Sequence, residues 1–208
     1  MVSYGISQQT YSVDNLIIDA VKVVTEETIV LSGAGVLTRS VLLGKITKEV
    51  STIIVADSEN TGDGTFAAVL GAYAEKGDYI LTMTGATAYA LVSPSGQILT
   101  STNSQLTTTL SAGSTPLVSS DFFTITVATP ATEKYKECVA TNVDGSEVPD
   151  RILGEDIDAT SADVTTWAYI SAEVDEDEVT IDSSLTIAGI KDVLRTKDLF
   201  LKPTLEGN

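Results

Sequence analysis

The sequence predicts a mainly β protein with one short C-terminal helix, into which an all-β, Ig-like sandwich is inserted. Three observations carry this. Thr, Ser, Val and Ala dominate while strong helix formers are sparse, which favours pleated structure. Alternating apolar residues, broken by Gly, Pro and Ser turns every 8–12 residues, fill the middle of the chain. Only one stretch, near the C-terminus, has apolar residues at helical spacing.

Residues 1–13, "MVSYGISQQTYSV", are polar, spotted with aromatics and without period, so they read as an extended arm, disordered when alone. "NLIIDAVKVVTEETIVL" reads as two short strand runs around Thr25–Glu27. "SGAGVLTRSVLLGKIT" reads as turn, strand, turn, strand, with Gly33, Gly35 and Gly44 as punctuation. From Asp57 the character changes, and residues 57–133 hold one basic residue, Lys76, against seven acids. The runs "TFAAVLGAYA", "YILTMT", "YALV", "QILTST" and "DFFTITV" are separated by clear turns. Phe123, Ile125 and Val127 alternate with Phe122, Thr124 and Thr126. These are the strands of the expected sandwich, and "VATPATEK" is its exit linker.

After Lys134 the charge-rich character returns. "YKECVATNV" reads as a strand, "DGSEVPD" as a turn, and "RILGEDIDATSADV" as strand then loop. In "WAYISAEV", Ala168, Ile170, Ala172 and Val174 form one apolar face. After the "DEDE" turn, Val179 and Ile181 resume the alternation. The helix spans 186–196, with Thr186 as its cap, Ile187, Ile190 and Leu194 on one face, and Arg195 at the cation-favouring end. "DLFLKP" is a last short strand stopped by Pro203. The layout is discontinuous: an arm (1–13), a core (14–56 and 134–208) and an insert (57–133). Such insertion costs little where the insert's ends lie close together.

Composition excludes several function classes. A chain of 208 residues with 43% hydrophobic content can bury a real core. A net charge of −17 argues against binding nucleic acid through phosphates. No run approaches the roughly 18 apolar residues that a membrane span needs. No signal peptide is visible, so the chain is expected to be made and used without Sec export. With no His and a single Cys, Cys138, a Cys/His zinc site, an internal disulfide and a Ser-His-Asp triad are all impossible. Cys138 lies in "KECVATNV" and reads as a small buried hydrophobe.

The acid-rich stretch 152–178 carries nine carboxylates and no base. Calcium needs oxygens at set offsets around a tight turn, and "EVDEDEVTID" lacks the central Gly of an EF-hand loop. Glu155, Asp156, Asp158 and Asp163 likewise match no motif. Carboxylate pairs of glycosidase spacing arise by chance among 29 acids. "SGAGV" and "NTGDGT" are not phosphate-binding fingerprints. No catalytic, metal or cofactor site is expected. Tyr4, Ile6, Tyr11 and Val13 are different: an apolar, aromatic, extended arm suits pairing with a partner's sheet edge. The bland reading of the same residues is a frayed terminus.

Several stretches together resemble the lambda-type phage head decoration protein family. "AGVLTRSVLLGKIT" at 34–47 resembles its early strand pair, an L-x-R-G-x-x-L-G-x-I pattern in which Ser40 stands where Gly is common. "RILGEDIDATSADVTTWAYISAEVDEDEVTI" at 151–181 resembles its most recognisable segment, and 186–203 its C-terminal end. The segment 57–133 is absent from the minimal pattern and resembles a β-sandwich module of phage and bacterial surface proteins, with "KGDYILTMTGAT", "YALVSPSGQIL" and "DFFTITV" as its marks. The resemblance implies a non-enzymatic homotrimer on three-fold and quasi-three-fold sites outside an expanded icosahedral head, made in the host cytoplasm. There it would resist genome pressure, with the arm (Tyr4, Ile6, Tyr11, Val13) ordering on the major capsid protein and no cofactor, nucleic acid or membrane involved. The alternative expectation is an adhesion module whose inserted sandwich binds host-surface glycans.

Overall fold

The computed structural model describes residues 16–50, 54–100 and 103–203. The first half of the chain forms β1 (Ile17–Val30), β2 (Gly35–Leu37), β3 (Leu42–Lys45), β4 (Glu49–Val50), β5 (Val55–Ala56), β6 (Thr65–Leu70), β7 (Gly77–Met83), β8 (Tyr89–Val92) and β9 (Ile98–Leu99). There follow β10 (Leu106–Ser111), β11 (Phe122–Ala128), β12 (Tyr135–Glu137), β13 (Pro149–Leu153), β14 (Ile157–Ala159), β15 (Val164–Asp175), helix α1 (Ile187–Arg195) and β16 (Leu199–Lys202). The protein is mainly β with one short helix, as expected.

One six-stranded sheet runs β1-β12-β3-β13-β15-β16, and β15 also pairs with β1. Five of its strands therefore close into a ring, with β16 added in parallel alongside β15. Neighbouring residues on these strands serve two cores. Val30, Leu43, Tyr135, Leu153 and Ala168 belong to one cluster. Leu42, Ile152, Tyr169, Ala172 and Val174 belong to another, closed over by Ile190 and Leu194 of α1 and by Leu199 and Leu201 of β16. The sequence reading gave β15 one apolar face, but Ala168 and Tyr169 are both buried, because this part of the sheet is covered on both sides.

The helix is capped as its sequence predicts, since the Gly189 N–H donates to Thr186 Oγ1 at 3.2 Å. Two strand runs were expected around Thr25–Glu27, but β1 is a single strand. No Gly, Pro, Asn or Asp sits there to turn the chain, so Glu26 and Glu27 point into solvent while their backbones pair with Ala168 and Trp167. Register shifts between Ile17 and Thr25 absorb the irregular pattern of that half. The loop expected after Leu153 contains β14, which pairs with β2. The expected strand "YKECVATNV" is strand only over Tyr135–Glu137. Ser40 adopts φ +75°, the left-handed conformation that explains why Gly suits this position.

A second six-position sheet runs β4-β11-β7-β8-β9, with β5 also on β11, and faces the two-stranded sheet β10-β6. Phe66, Tyr79, Leu81, Leu91, Phe123 and Ile125 fill the space between them, with Phe66 edge-on to Phe123 at 4.9 Å. The alternation read from "YILTMT" and "DFFTITV" is this inward face. The sequence reading placed the change of character at Asp57, yet β4 and β5 precede it and hydrogen-bond to β11. Composition did not register them because two-residue strands carry no visible period.

Candidate functional site

The expected capsid-contact residues Tyr4, Ile6, Tyr11 and Val13 lie outside the described residues. What the structure describes is the root from which that segment departs. Leu16 is buried, its carbonyl accepts the Asp175 N–H at 2.9 Å, and Ile17 pairs with Val174. On the other side of β15, Val174 pairs with Leu201, so the last described strand, β16, lies at the same end. The root is thus held in a three-strand arrangement, beside the "DEDE" turn.

The β4–β11 unit departs from the opposite end of β1. Val30, the last residue of β1, pairs with Tyr135, the residue that resumes the ring, and Tyr135 pairs with Lys45. Thirteen residue steps separate Ile17 from Val30, about 43 Å of strand contour at ~3.3 Å per residue. The two chain passages at this end are tied together. The Ile46 N–H donates to the Lys134 carbonyl at 2.9 Å, and the Thr47 and Lys48 N–H groups both donate to the Asp144 carbonyl. Lys45 pairs with Glu133, and Lys136 with Asp144 at 2.8 Å. The Lys45 ammonium holds the Glu133 carboxyl below the usual carboxylate range. Burial pushes Asp144 up, but hydrogen bonds from Lys136 and Ser146 outweigh it and leave the group lowered.

Just inside this stem sits Arg151, a residue the sequence reading did not single out. It is buried on β13, two positions from Leu153 and so on the same strand face. Its guanidinium lies 3.8 Å from the centre of the Tyr135 ring, donates to Thr28 Oγ1 at 2.8 Å and to the Tyr135 hydroxyl at 2.6 Å, and pairs with Asp150 at 3.2 Å. Burial pushes the Tyr135 phenol up to about 12. This network fixes β12 to β13 and β1 where the chain re-enters the ring. The only sequence signal for it was a charged residue at an inward position of the "RIL" strand.

The nine carboxylates of 152–178 are mostly engaged in holding loops. Asp156 accepts the Arg39 N–H at 2.7 Å, and Asp163 accepts the Ser32 N–H at 2.8 Å and pairs with Lys134 at 2.8 Å. Lys134 and the Ser32 N–H hold Asp163 below its usual value. Glu155 accepts from Thr166, Asp158 from the Thr160 N–H, and Asp175 from the Asp177 N–H, while Glu173 and Glu176 pair with Lys202 and Lys191. Among the described residues no three carboxylate or thiol groups are placed to hold a metal ion. Cys138 is buried in the second core, where burial pushes its thiol up to about 12, so it is no nucleophile. Glu137 is raised by burial and then by Asp182. An open groove of about 390 Å³ runs between the stem and β6, bounded by Ile46, Lys48, Val50, Val69, Leu70 and Lys136. It brings no acid–base pair together with a nucleophile.

Among the described residues the geometry is that of a scaffold with two anchored ends, the Leu16–Ile17 start of β1 and the stem, and no catalytic constellation is assembled. No curated protein and no solved structure matches the chain significantly. A family model, that of bacteriophage lambda head decoration protein D, matches residues 5–195, a span that takes in the ring, the stem, the β4–β11 unit and the helix. The chain belongs to the phage lambda head decoration protein family.

Proposed function

We propose that the protein is a cement protein that binds the outside of the expanded phage head as a trimer, on three-fold and quasi-three-fold sites, and stiffens the shell against genome pressure. The observation that carries this reading is the placement of the arm root and the stem at opposite ends of β1. A head-binding arm and an outward-facing insert need that separation. In this reading residues 1–13 meet the major capsid protein, with Tyr4, Ile6, Tyr11 and Val13 offering alternate side chains to a sheet edge. The unit from β4 to β11 then stands as an inserted sandwich on the far side. The charge of −17 keeps the coat off the genome, and many copies turn modest single-site affinity into a durable layer.

The test is deletion of residues 2–13. The truncated chain is expected to keep its β-rich circular dichroism and its self-association, and to lose binding to expanded heads in co-sedimentation. Unchanged head binding would overturn the role given to the arm.

A further inference from the structure

The two sheets of the β4–β11 unit are unequal, and the larger one faces only β10 and β6. The Gly71 N–H donates to the Gln105 carbonyl at 2.8 Å, one step beyond the Leu70–Leu106 pair. In an antiparallel pair such bonded positions alternate with unbonded ones. Thr65, Ala67 and Val69 therefore turn their backbones to β10, while Phe66, Ala68 and Leu70 turn theirs away from it. Side chains close the outer edge of β10. The Asn103 amide donates to the Leu106 carbonyl at 2.8 Å and accepts its N–H at 2.9 Å, and the Tyr89 hydroxyl lies 2.7 Å from Thr108 Oγ1. The outer edge of β6 has no such cover. Among the described residues, the N–H and C=O groups of Phe66, Ala68 and Leu70 have no hydrogen-bond partner. The groove of about 390 Å³ opens along this edge at Ala68, Val69 and Leu70. Val50, Ala68 and Leu70 are only partly buried against the Phe66–Phe123 core, so the core too is left short of cover here.

We propose that this edge receives the N-terminal arm of a second copy as an added strand. The unpaired backbone selects the kind of occupant, since a row of N–H and C=O groups is matched by another extended chain. The walls select its side chains. Apolar groups are needed over Val50 and Leu70, while the rim lysines are already balanced, Lys136 by Asp144 and Lys134 by Asp163, both at 2.8 Å. Residues 1–13 carry no charged side chain. Tyr4 with Ile6, and Tyr11 with Val13, stand two apart, as one face of a strand requires. Reach selects the copy. The arm of the same chain starts ~43 Å away, at the far end of β1, and its 15 residues span ~50 Å at ~3.3 Å each. That leaves about two residues for a contact that runs the five positions from Phe66 to Leu70. In this arrangement arm and edge cover one another's apolar groups until a head presents its own sheet edge, so the proposal rests on the decoration reading for that competitor.

The test is amide hydrogen exchange, read residue by residue by NMR, on the full chain and on the chain lacking residues 2–13. The amides of Phe66, Ala68 and Leu70 are expected to exchange at least tenfold more slowly in the full chain. Those of Ala67 and Val69 bond to β10 and are expected to match in both, which shows the unit intact. Isotope-labelled truncated chain is then mixed with excess unlabelled full chain. The three edge amides of the labelled chain are expected to slow, because the arm arrives from another copy. Equal rates with and without residues 2–13 would overturn the proposal, and so would edge amides that stay fast in the mixture. Head binding by the same proteins is measured separately. Loss of head binding on truncation with unchanged edge amides sinks the contact between arm and β6 and leaves the arm's role at the head. Edge amides that depend on the arm, in a protein that binds heads without it, do the reverse.

Discussion

Replacing Arg151 by Met isolates what the buried guanidinium contributes. Met retains much of the stem packed against the Tyr135 ring but removes three donors, those to Thr28 Oγ1, to the Tyr135 hydroxyl and to Asp150, together with the ion pair to Glu26 at 3.5 Å. Hydrogen bonds from a charged donor contribute about 1.5–3 kcal/mol each, but the charge also loses its own desolvation cost when it is removed. Thr28 still donates to the Glu26 carbonyl, the half-exposed Glu26 carboxylate can turn to water, and the buried phenol loses its closest partner while keeping Glu133 at 3.4 Å. Asp150 keeps Lys197 at 2.9 Å. A net loss of about 3 kcal/mol follows, which lowers Tm by roughly 6–12 °C for a chain of this size. Trp167 is the single tryptophan and lies on β15 of the ring, so its fluorescence in a urea titration follows the affected unit directly. A loss below about 1 kcal/mol would show that Arg151 merely fills space, as some buried ion networks do.

Other perturbations test separate parts of the fold. Tyr135 and Cys138 are both raised to about 12, so their stabilising contribution is complete below the unfolded values near 10 and 9 and is lost as pH climbs towards 12. A urea midpoint that holds to about pH 9 and falls steadily above it checks this. Gly44→Ala puts a Cβ 2.0 Å from the Ser146 carbonyl oxygen on an interior strand, and is expected to cost about 3 kcal/mol or more in the same titration. Thr186→Ala removes the helix cap and is expected to cost about 1 kcal/mol. Asp121 accepts the Thr61, Gly62 and Val118 N–H groups, and those bonds hold its carboxyl below the usual range. Asp121→Ala is expected to lower the melting of the β4–β11 unit, seen by circular dichroism, without moving the Trp167 fluorescence midpoint.

Strong local patterns made much of this architecture legible. "YILTMT" and "DFFTITV" alternate cleanly because one side meets the Phe66–Phe123 core and the other meets solvent. Thr186, Ile190 and Leu194 identify the helix because cap and stripe are local features. Where tertiary structure overrode the local signal, the reading departed. Thr25–Glu27 looked like a break, and pairing with β15 carries the strand through it. Glu49–Val50 and Val55–Ala56 were too short to show a period, and only β11 makes them strands. The candidate site was less legible still. The residues proposed from their aromatics, Tyr4, Ile6, Tyr11 and Val13, lie outside the described residues, while the Leu16–Asp175 anchorage and the Lys45–Glu133 and Arg151–Tyr135 links join residues on different strands, which no local pattern shows.

The stem also dictates an order of events in folding. Ile46 and Lys134 are hydrogen-bonded neighbours separated by 134 − 46 = 88 residues. Closing a loop of that length costs about 3 kcal/mol more than closing a four-residue turn. The ring cannot complete until this is met, because β12 lies beyond the loop and bridges β1 to β3. A segment that first collapses on its own core brings its two ends together and supplies the ring with a ready-made short connection. Folding of the β4–β11 unit thus offsets the loop-closure cost that the ring would otherwise meet alone.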